Sequence, residues 1–413
     1  MEEVDVPSYF TCPISLQIMR DPVILSSGIT YERDAIERWL FSNNNRTCPL
    51  TKQPIGIEDI EPTPNHMLRR HIQSWCAANT SRGVERFPTP REPVYSTQAI
   101  IKILDSTKNP RTLVSSLRKL REMVTYSDRS KLCAENVGVP TVLVSIIDRS
   151  IGRGYDDEEE EESVSACDEA LNILNSLQLS QESFHNLYIG NPNLIHLLVK
   201  VLEQSSSYQC RVYAIFLLKS IFMSISPLYM PAVEDKLYIE IVRVLRDGMS
   251  TTVTKAALRV LWELCPWGRN SIKATKAGAV GVLVDLLLDT GETKICEMIV
   301  IVLDKLCRCA EGREEIIRHG CGIAILSKKI LRVSNLTSEK CVKILQSLVK
   351  YSPAPELLKE IAQLGVIDKL CLVLQMNCET KTKKIAKEIL RLHSKTWKNS
   401  TCIHPKFLSS YPI

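Results

Sequence analysis

At 413 residues, with 45% hydrophobic and 24% charged residues, the chain has a globular balance and is too long for one ordinary domain unless part of it repeats. Its formal charge of +5 is mild and spread out, without the concentrated basic stripe of a nucleic-acid binder, and no run of about 18 apolar residues offers a membrane span. The opening MEEVDVPSYF lacks the basic start and apolar stretch of a secretory signal, and most of the 15 cysteines fall in apolar helical patterns, so reduced core thiols are expected rather than a disulfide framework.

The first 80 residues are acidic, with seven Lys/Arg against ten Asp/Glu. Over 7–76 the order reads as a loop (CPISLQIM), a short strand pair around DPVILSSGITYE, a helix (RDAIERWLFS), a second loop (TCPLTKQPI) and a closing helix (NHMLRRHIQSWC). Ile36, Trp39 and Leu40 stand at i, i+3 and i+4 on the first helix. Met67, Leu68, Ile72 and Trp75 do similar work on the second, so each helix can bury one face against the strands.

Two loops that flank a helix, each tipped with Cys-Pro and apolar residues, resemble a RING domain. A RING needs eight Cys/His ligands for two zinc ions. Here only Cys12, Cys48, Cys76, His66 and His71 are candidates, and no C-x-x-C pair occurs. No cofactor or structural metal is therefore expected. Polar side chains must hold the loops instead, and Asp21, Ser27, Thr30, Glu32, Arg33 and Asn65 are available for hydrogen bonds and ion pairs. With CPISLQIMRDPV, SGITYER, Trp39-Leu40, CPLTKQ and PNHMLRRHIQSW in nearly continuous order over about 70 residues, the segment is similar to the U-box, a zinc-free RING-like α+β fold.

The resemblance implies a mechanism without a covalent ubiquitin intermediate. A U-box holds a conjugating enzyme charged with ubiquitin, presents a substrate lysine to it, and restricts the thioester to a reactive pose. By resemblance, Ile14 and Leu16 in the first loop, Trp39 on the helix and Pro49 in the second loop form the docking surface for the conjugating enzyme. No catalytic residue in the chemical sense is implied. The position that fastens ubiquitin, often arginine, is here Lys52, which keeps the charge and loses the forked donor geometry.

A stretch with three prolines, TSRGVERFPTPREP, follows over 80–93 and reads as an extended linker between a U-box at 5–79 and what comes next. From residue 94 the helix template recurs. It begins at Val139, Leu194, Leu237, Val280, Ile323 and Ile367, with intervals of 55, 43, 43, 43 and 44 residues. Such a period belongs to HEAT and armadillo arrays. The one long interval contains the acidic run around 151–163, expected as a solvated loop insertion. Glycines precede several of the periodic helices, at 138, 278, 320 or 322, and 365, where a tight turn is expected. The region 94–397 resembles armadillo repeats, which implies a right-handed α-solenoid whose extended surface binds proteins. Trp262, Trp267 and Asn270 raise the alternative of a peptide-binding ladder, with core packing the role expected of Trp262. Residues 398–413 form a C-terminal tail.

The fold expected is thus mainly α: a U-box followed by an armadillo-type solenoid. The combination resembles the plant U-box/armadillo ubiquitin ligases, particularly those of stress and immune signalling. It implies an E3 ubiquitin ligase whose partners are a ubiquitin-charged conjugating enzyme and a protein substrate on the repeats, with self-association through the U-box as a further capacity. A cytoplasmic or nuclear protein is expected. The alternative from another class is a non-catalytic armadillo adaptor.

Overall fold

The computed structural model describes residues 6–42, 47–55, 62–80, 84, 97–151, 157–205, 207–225, 233–267 and 269–398. The linker expected over 80–93 lies outside them except at Thr80 and Val84, and the tail except at Lys398. The chain divides into two compact units, one of 1–142 with 176–178, the other of 143–175 with 179–413.

In the first unit, β1 (Pro22–Ile24) and β2 (Thr30–Glu32) form the expected hairpin, Val23 facing Tyr31. A third strand, β3 (Thr63–Pro64), pairs antiparallel with the other edge of β1. Sequence reasoning missed it because two residues, one of them proline, give no alternation to detect. Helix α1 (Arg33–Glu37) continues as one turn of π-helix over Arg38–Ser42. Helix α2 (His66–Ala78) starts where Asn65 Oδ1 accepts the Leu68 backbone N–H. Phe10, Met19, Val23, Tyr31, Ile36 and Ile72 build the core of this module. Met67, expected on the buried stripe of α2, faces solvent instead, because Leu68 and Trp75 are the residues that meet the core. Helices α3 (Thr97–Ser106), α4 (Leu113–Tyr126), α5 (Asp128–Asn136) and the start of α6 (Val139–Ser150) complete the unit.

The second unit is an array of helix triplets. Helix α7 (Asp157–Ser176) opens it. A full triplet follows as α8 (Gln181–Gly190), α9 (Leu194–Gln204) and α10 (Tyr208–Ser224), then a pair, α11 (Asp235–Asp247) and α12 (Thr251–Leu264). The next triplet is α13 (Asn270–Lys276), α14 (Ala279–Asp289) and α15 (Thr293–Leu306). It is followed by α16 (Ala310–Arg318), α17 (Gly322–Lys329) and α18 (Asn335–Tyr351), and by α19 (Pro355–Gln363), α20 (Val366–Gln375) and α21 (Thr380–Leu392). The short α22 (Ser394–Lys398) closes the array with Trp397 fully buried.

All six periodic copies begin on α6, α9, α11, α14, α17 and α20, each the helix before the last one of its repeat. On α14 Leu288 is exposed, and Leu331 lies beyond the end of α17 with φ 60°. The acidic run departs from expectation: α7 begins at Asp157, so Asp157–Glu162 belong to a helix rather than to a loop over 151–163. Glutamate is a good helix former, and negative charge in a first turn is favourable to the helix dipole. Successive last helices α10, α12, α15, α18 and α21 pack in series. Cross-repeat lysines bind backbone carbonyls about one repeat back: Lys273 Nζ donates to the Val233 carbonyl at 2.6 Å, Lys329 Nζ to that of Thr290 at 2.9 Å, and Lys369 Nζ to that of Ser327.

Gly138, Gly278 and Gly365 take positive φ before their helices, as expected of tight turns. At the fourth site the reason differs. A Cβ on Gly322 would stand 2.2 Å from the Ile316 carbonyl oxygen, while one on Gly320 would meet open space. Gly322→Ala is expected to destabilise the array by about 1–3 kcal/mol through overpacking. Gly320→Ala is expected to be near neutral. Thermal melts of the two variants side by side check this, and equal melting would remove close approach as the reason for glycine at 322.

Candidate functional site

The twin loops share one backbone plan. In the first, the Cys12 N–H donates to the Gln17 carbonyl at 2.9 Å and the Leu16 N–H to the Cys12 carbonyl at 2.9 Å. In the second, Cys48 N–H donates to the Gln53 carbonyl at 2.8 Å and Lys52 N–H to the Cys48 carbonyl at 2.9 Å. The fifth residue of each loop is left-handed, Leu16 at φ 55° and Lys52 at φ 59°. For non-glycine residues that conformation costs about 1–2 kcal/mol, which the surrounding hydrogen bonds must offset. CPISLQ and CPLTKQ are thus the same turn twice, and Leu50 stands where Ile14 stands.

The cysteine sulfurs tie both loops to the hairpin. Cys12 Sγ accepts the backbone N–H of Glu32 at 3.2 Å and of Ile14 at 3.4 Å. Cys48 Sγ lies 3.1 Å from Tyr31 Oη and 3.6 Å from Ser27 Oγ. Burial alone raises the Cys48 pKa, but hydrogen bonds from Thr51, Tyr31 and Ser27 outweigh it and bring the thiol down to about 6. Burial and the same sulfur push the Tyr31 phenol up. Cys76 is buried in α2, His66 and His71 are exposed, and no group of three or more His, Cys, Asp or Glu is placed to hold a metal among the described residues.

All six residues expected to brace the module make polar contacts. Asp21 Oδ2 accepts from Arg33 Nε at 2.6 Å, and Asp21 Oδ1 accepts from Arg69. The Glu32 carboxylate accepts the N–H of Arg20 at 2.6 Å and of Asp21 at 3.2 Å. Burial raises the Glu32 pKa, and the Arg20 N–H opposes that. Asn65 Nδ2 donates to Thr30 Oγ1 at 3.2 Å, joining α2 to β2. Sequence reasoning missed Arg69, Tyr31 and the two sulfurs, whose partners lie up to 48 residues away. A second ion cluster continues from Arg33, whose Nη1 is 3.6 Å from Glu37 Oε1, to Arg129 on α5, whose Nη1 donates to the same oxygen at 2.9 Å.

Around the loops the apolar residues are presented outward. Leu16 is 78% exposed and Leu50 63%. Ile14 and Trp39 are partly buried against the same core, and Pro49 is half-buried. The Trp39 Nε1–H donates to the Thr47 carbonyl at 2.9 Å, which fixes the ring against the second loop. Lys52 Nζ lies 5.6 Å from the Trp39 ring centroid, a cation–π contact that brings the two together directly. Leu50 was not among the sequence candidates, although its place after Cys-Pro, matching Ile14, is a signal that could have found it.

On the repeats, Trp262, Trp267 and Asn270 do not form a ladder. Asn270 is buried, its Nδ2 donating to the Leu264 carbonyl at 3.1 Å, and so serves the end of α12. Trp262 is not fully buried, with the Arg259 guanidinium 4.8 Å and Lys305 Nζ 6.0 Å from its ring.

Comparison with known proteins covers both parts. A family model described as the U-box domain matches residues 6–81, and one described as the plant U-box protein ARM repeat region matches 96–413. The chain is similar to the E3 ubiquitin-protein ligase PUB23 of Arabidopsis thaliana, 44% identical over 100% of this chain and 98% of that protein. It is 41% identical to the E3 ubiquitin-protein ligase PUB22 of the same plant, over 100% of this chain and 99% of that one. The E3 ubiquitin-protein ligase PUB24 of that species is 33% identical, over 97% and 95%.

Proposed function

The chain belongs to the plant U-box family with armadillo repeats and is an E3 ubiquitin ligase, and from that premise we propose how its residues divide the work. Ile14, Leu16, Trp39 and Pro49, joined by Leu50, dock the ubiquitin-charged conjugating enzyme. The observation that carries this is the pair of exposed leucines on backbone-locked twin loops, since apolar side chains held into solvent at loop tips have no packing role in the module. The U-box supplies proximity and pose, and transfer runs from the thioester of the carrier to a substrate lysine without passing through a cysteine of this chain. The repeats hold the substrate on their extended surface.

Lys52 fastens ubiquitin against the carrier. Its left-handed backbone and its contact with the Trp39 ring hold the ammonium beside the docking face. Lys52→Ala is expected to slow ubiquitin discharge several-fold and to leave carrier binding nearly intact. Discharge of a preformed thioester onto free lysine, measured beside calorimetric binding, separates the two. A comparable loss of binding would make Lys52 part of the docking surface instead.

A place in stress and immune signalling, a cytoplasmic site of action with access to the nucleus, and self-association through the U-box complete the proposal. The compartment is supported by the thiols: all 14 cysteines among the described residues are free, most of them buried, which suits a reducing environment. The whole reading is tested by autoubiquitination with activating enzyme, a panel of conjugating enzymes and ubiquitin. The intact chain is expected to build chains with at least one of them.

A further inference from the structure

The final repeats bring together, along α18, α21 and the turn after α15, a run of cations that the sequence scatters. Between α15, α16 and α18 lies a cleft of about 450 Å³, and a second of about 460 Å³ runs along α21. Arg308, Arg313, Lys343 and Lys350 line the first, and Lys384, Lys387 and Arg391 the second, against one carboxylate in each, Asp304 and Glu388.

Both carboxylates are already engaged. Asp304 Oδ2 is 2.9 Å from Lys343 Nζ. Glu388 accepts from Gln346 Nε2 at 2.6 Å and lies 3.5 Å from Lys350 Nζ. These contacts stitch neighbouring helices together and leave a positive excess facing out. Burial depresses the pKa of the adjacent Lys305, and repulsion from Arg308 adds to the effect.

The first cleft is also lined by Tyr351, 61% exposed at the end of α18. Arg313 flanks its ring at 5.2 Å and Lys350 at 5.7 Å. Arg313 is itself anchored, its Nη1 donating to the carbonyls of Cys307 and Cys309, both at 3.1 Å, at the end of α15. Tyr351 is therefore a preset aromatic platform in a basic strip. Helices in contact lie about 8–10 Å apart. Three successive last helices thus span on the order of 20 Å between outer axes, the reach of about six residues of extended peptide at about 3.3 Å each.

Resting on the reading of the repeats as the substrate module, we propose that this strip, from the turn after α15 across α18 and α21, recognises an acidic, extended segment of the substrate protein. The segment's carboxylates pair with Arg308, Lys350, Lys387 and Arg391, and an apolar or aromatic residue within it rests on Tyr351. A protein segment fits better than a nucleic acid, because Asp304 and Glu388 interrupt the strip where a continuous phosphate backbone would pass.

The test uses the intact chain and a fluorescein-labelled ten-residue probe of alternating glutamate and leucine with one central phenylalanine, its glutamine counterpart, a lysine counterpart and a single-stranded RNA ten nucleotides long. The acidic probe is expected to bind at least tenfold more tightly than the glutamine probe, with an affinity that falls as salt rises. Tyr351→Ala and the double change Lys387→Glu with Arg391→Glu should each weaken it at least tenfold. Equal binding of the acidic and glutamine probes, insensitivity to both variants, or tighter binding of the RNA would overturn the proposal. So would tighter acidic-probe binding on neutralising Asp157–Glu162, which would make this chain's own acidic run the occupant.

A second arm fuses the three peptides to a lysine-bearing carrier protein and follows its ubiquitination. The acidic fusion should be modified at least fivefold faster than the others. Equal modification of all three fusions above the bare carrier overturns the acidic preference alone. Modification of none beyond the bare carrier, with autoubiquitination intact, overturns the substrate role of the repeats as well.

Discussion

Asp21→Ala is expected to unfold the N-terminal module and, with it, to end ubiquitin transfer. The Asp21 carboxylate bridges Arg33 on α1 and Arg69 on α2, and the three side chains are 15%, 10% and 12% exposed. Removing the acid takes away the carboxylate that joins two arginines mostly out of water, and leaves Arg33 only its longer contact of 3.6 Å with Glu37 among the described residues. Breaking a buried pair by deleting one partner costs about 3–5 kcal/mol. Total stability of a domain is about 5–15 kcal/mol, and a module of some 75 residues sits near the lower end. Limited proteolysis of the intact chain checks this. Cleavage should concentrate within the first compact unit while residues 179–413 persist, since the second unit has its own core of buried leucine, isoleucine and valine. Asp21→Asn keeps the shape and loses the charge, and should fall between the two. A digestion pattern unchanged in Asp21→Ala would mean the two arginines are not held by this acid.

Ile14→Arg is expected to reduce transfer about a hundredfold while the module stays folded. Ile14 is partly buried at the base of the proposed docking face, whereas Leu16 stands free of the core. In small interfaces a few desolvated apolar anchors dominate, at about 2–4 kcal/mol each. A guanidinium in that place must also be desolvated against a surface chosen for an apolar side chain. Leu16→Asp should have a smaller effect and no effect on folding, because its side chain is mostly in water already. Discharge of the charged carrier onto free lysine, paired with a melting curve, separates lost docking from lost structure. Transfer at the normal rate in Ile14→Arg would remove the first loop from the docking face.

Much of this was legible in the sequence because it is local. The periodic copies are local patterns of apolar spacing, and each begins on the helix before the last one of its repeat. The twin loops could be seen as Cys-Pro turns, and the polar braces as hydrogen-bonding types without a metal set. What escaped depends on distance along the chain. Arg69 meets Asp21 only after α2 packs back on β1, and β3 exists only as the far edge of that pairing. The acidic run looked like a loop because like charges repel, but α7 takes it as its first turns. The cations after α15 and on α18 and α21 looked dispersed because a repeat of about 43 residues separates them, and stacking the repeats is what makes them neighbours.

Arg129 has a consequence for where the ligase can be cut. It belongs to α5, beyond the proline-rich stretch, yet it shares the Glu37 carboxylate with Arg33 of the U-box. A protein clipped after residue 80 keeps the loops proposed for docking but surrenders one member of this three-way ion cluster, and among the described residues Arg33 is the partner left to Glu37. Rates measured on such a shortened enzyme therefore register an altered module as well as a missing substrate anchor, and Arg129→Met in the uncut protein is the control that tells one from the other.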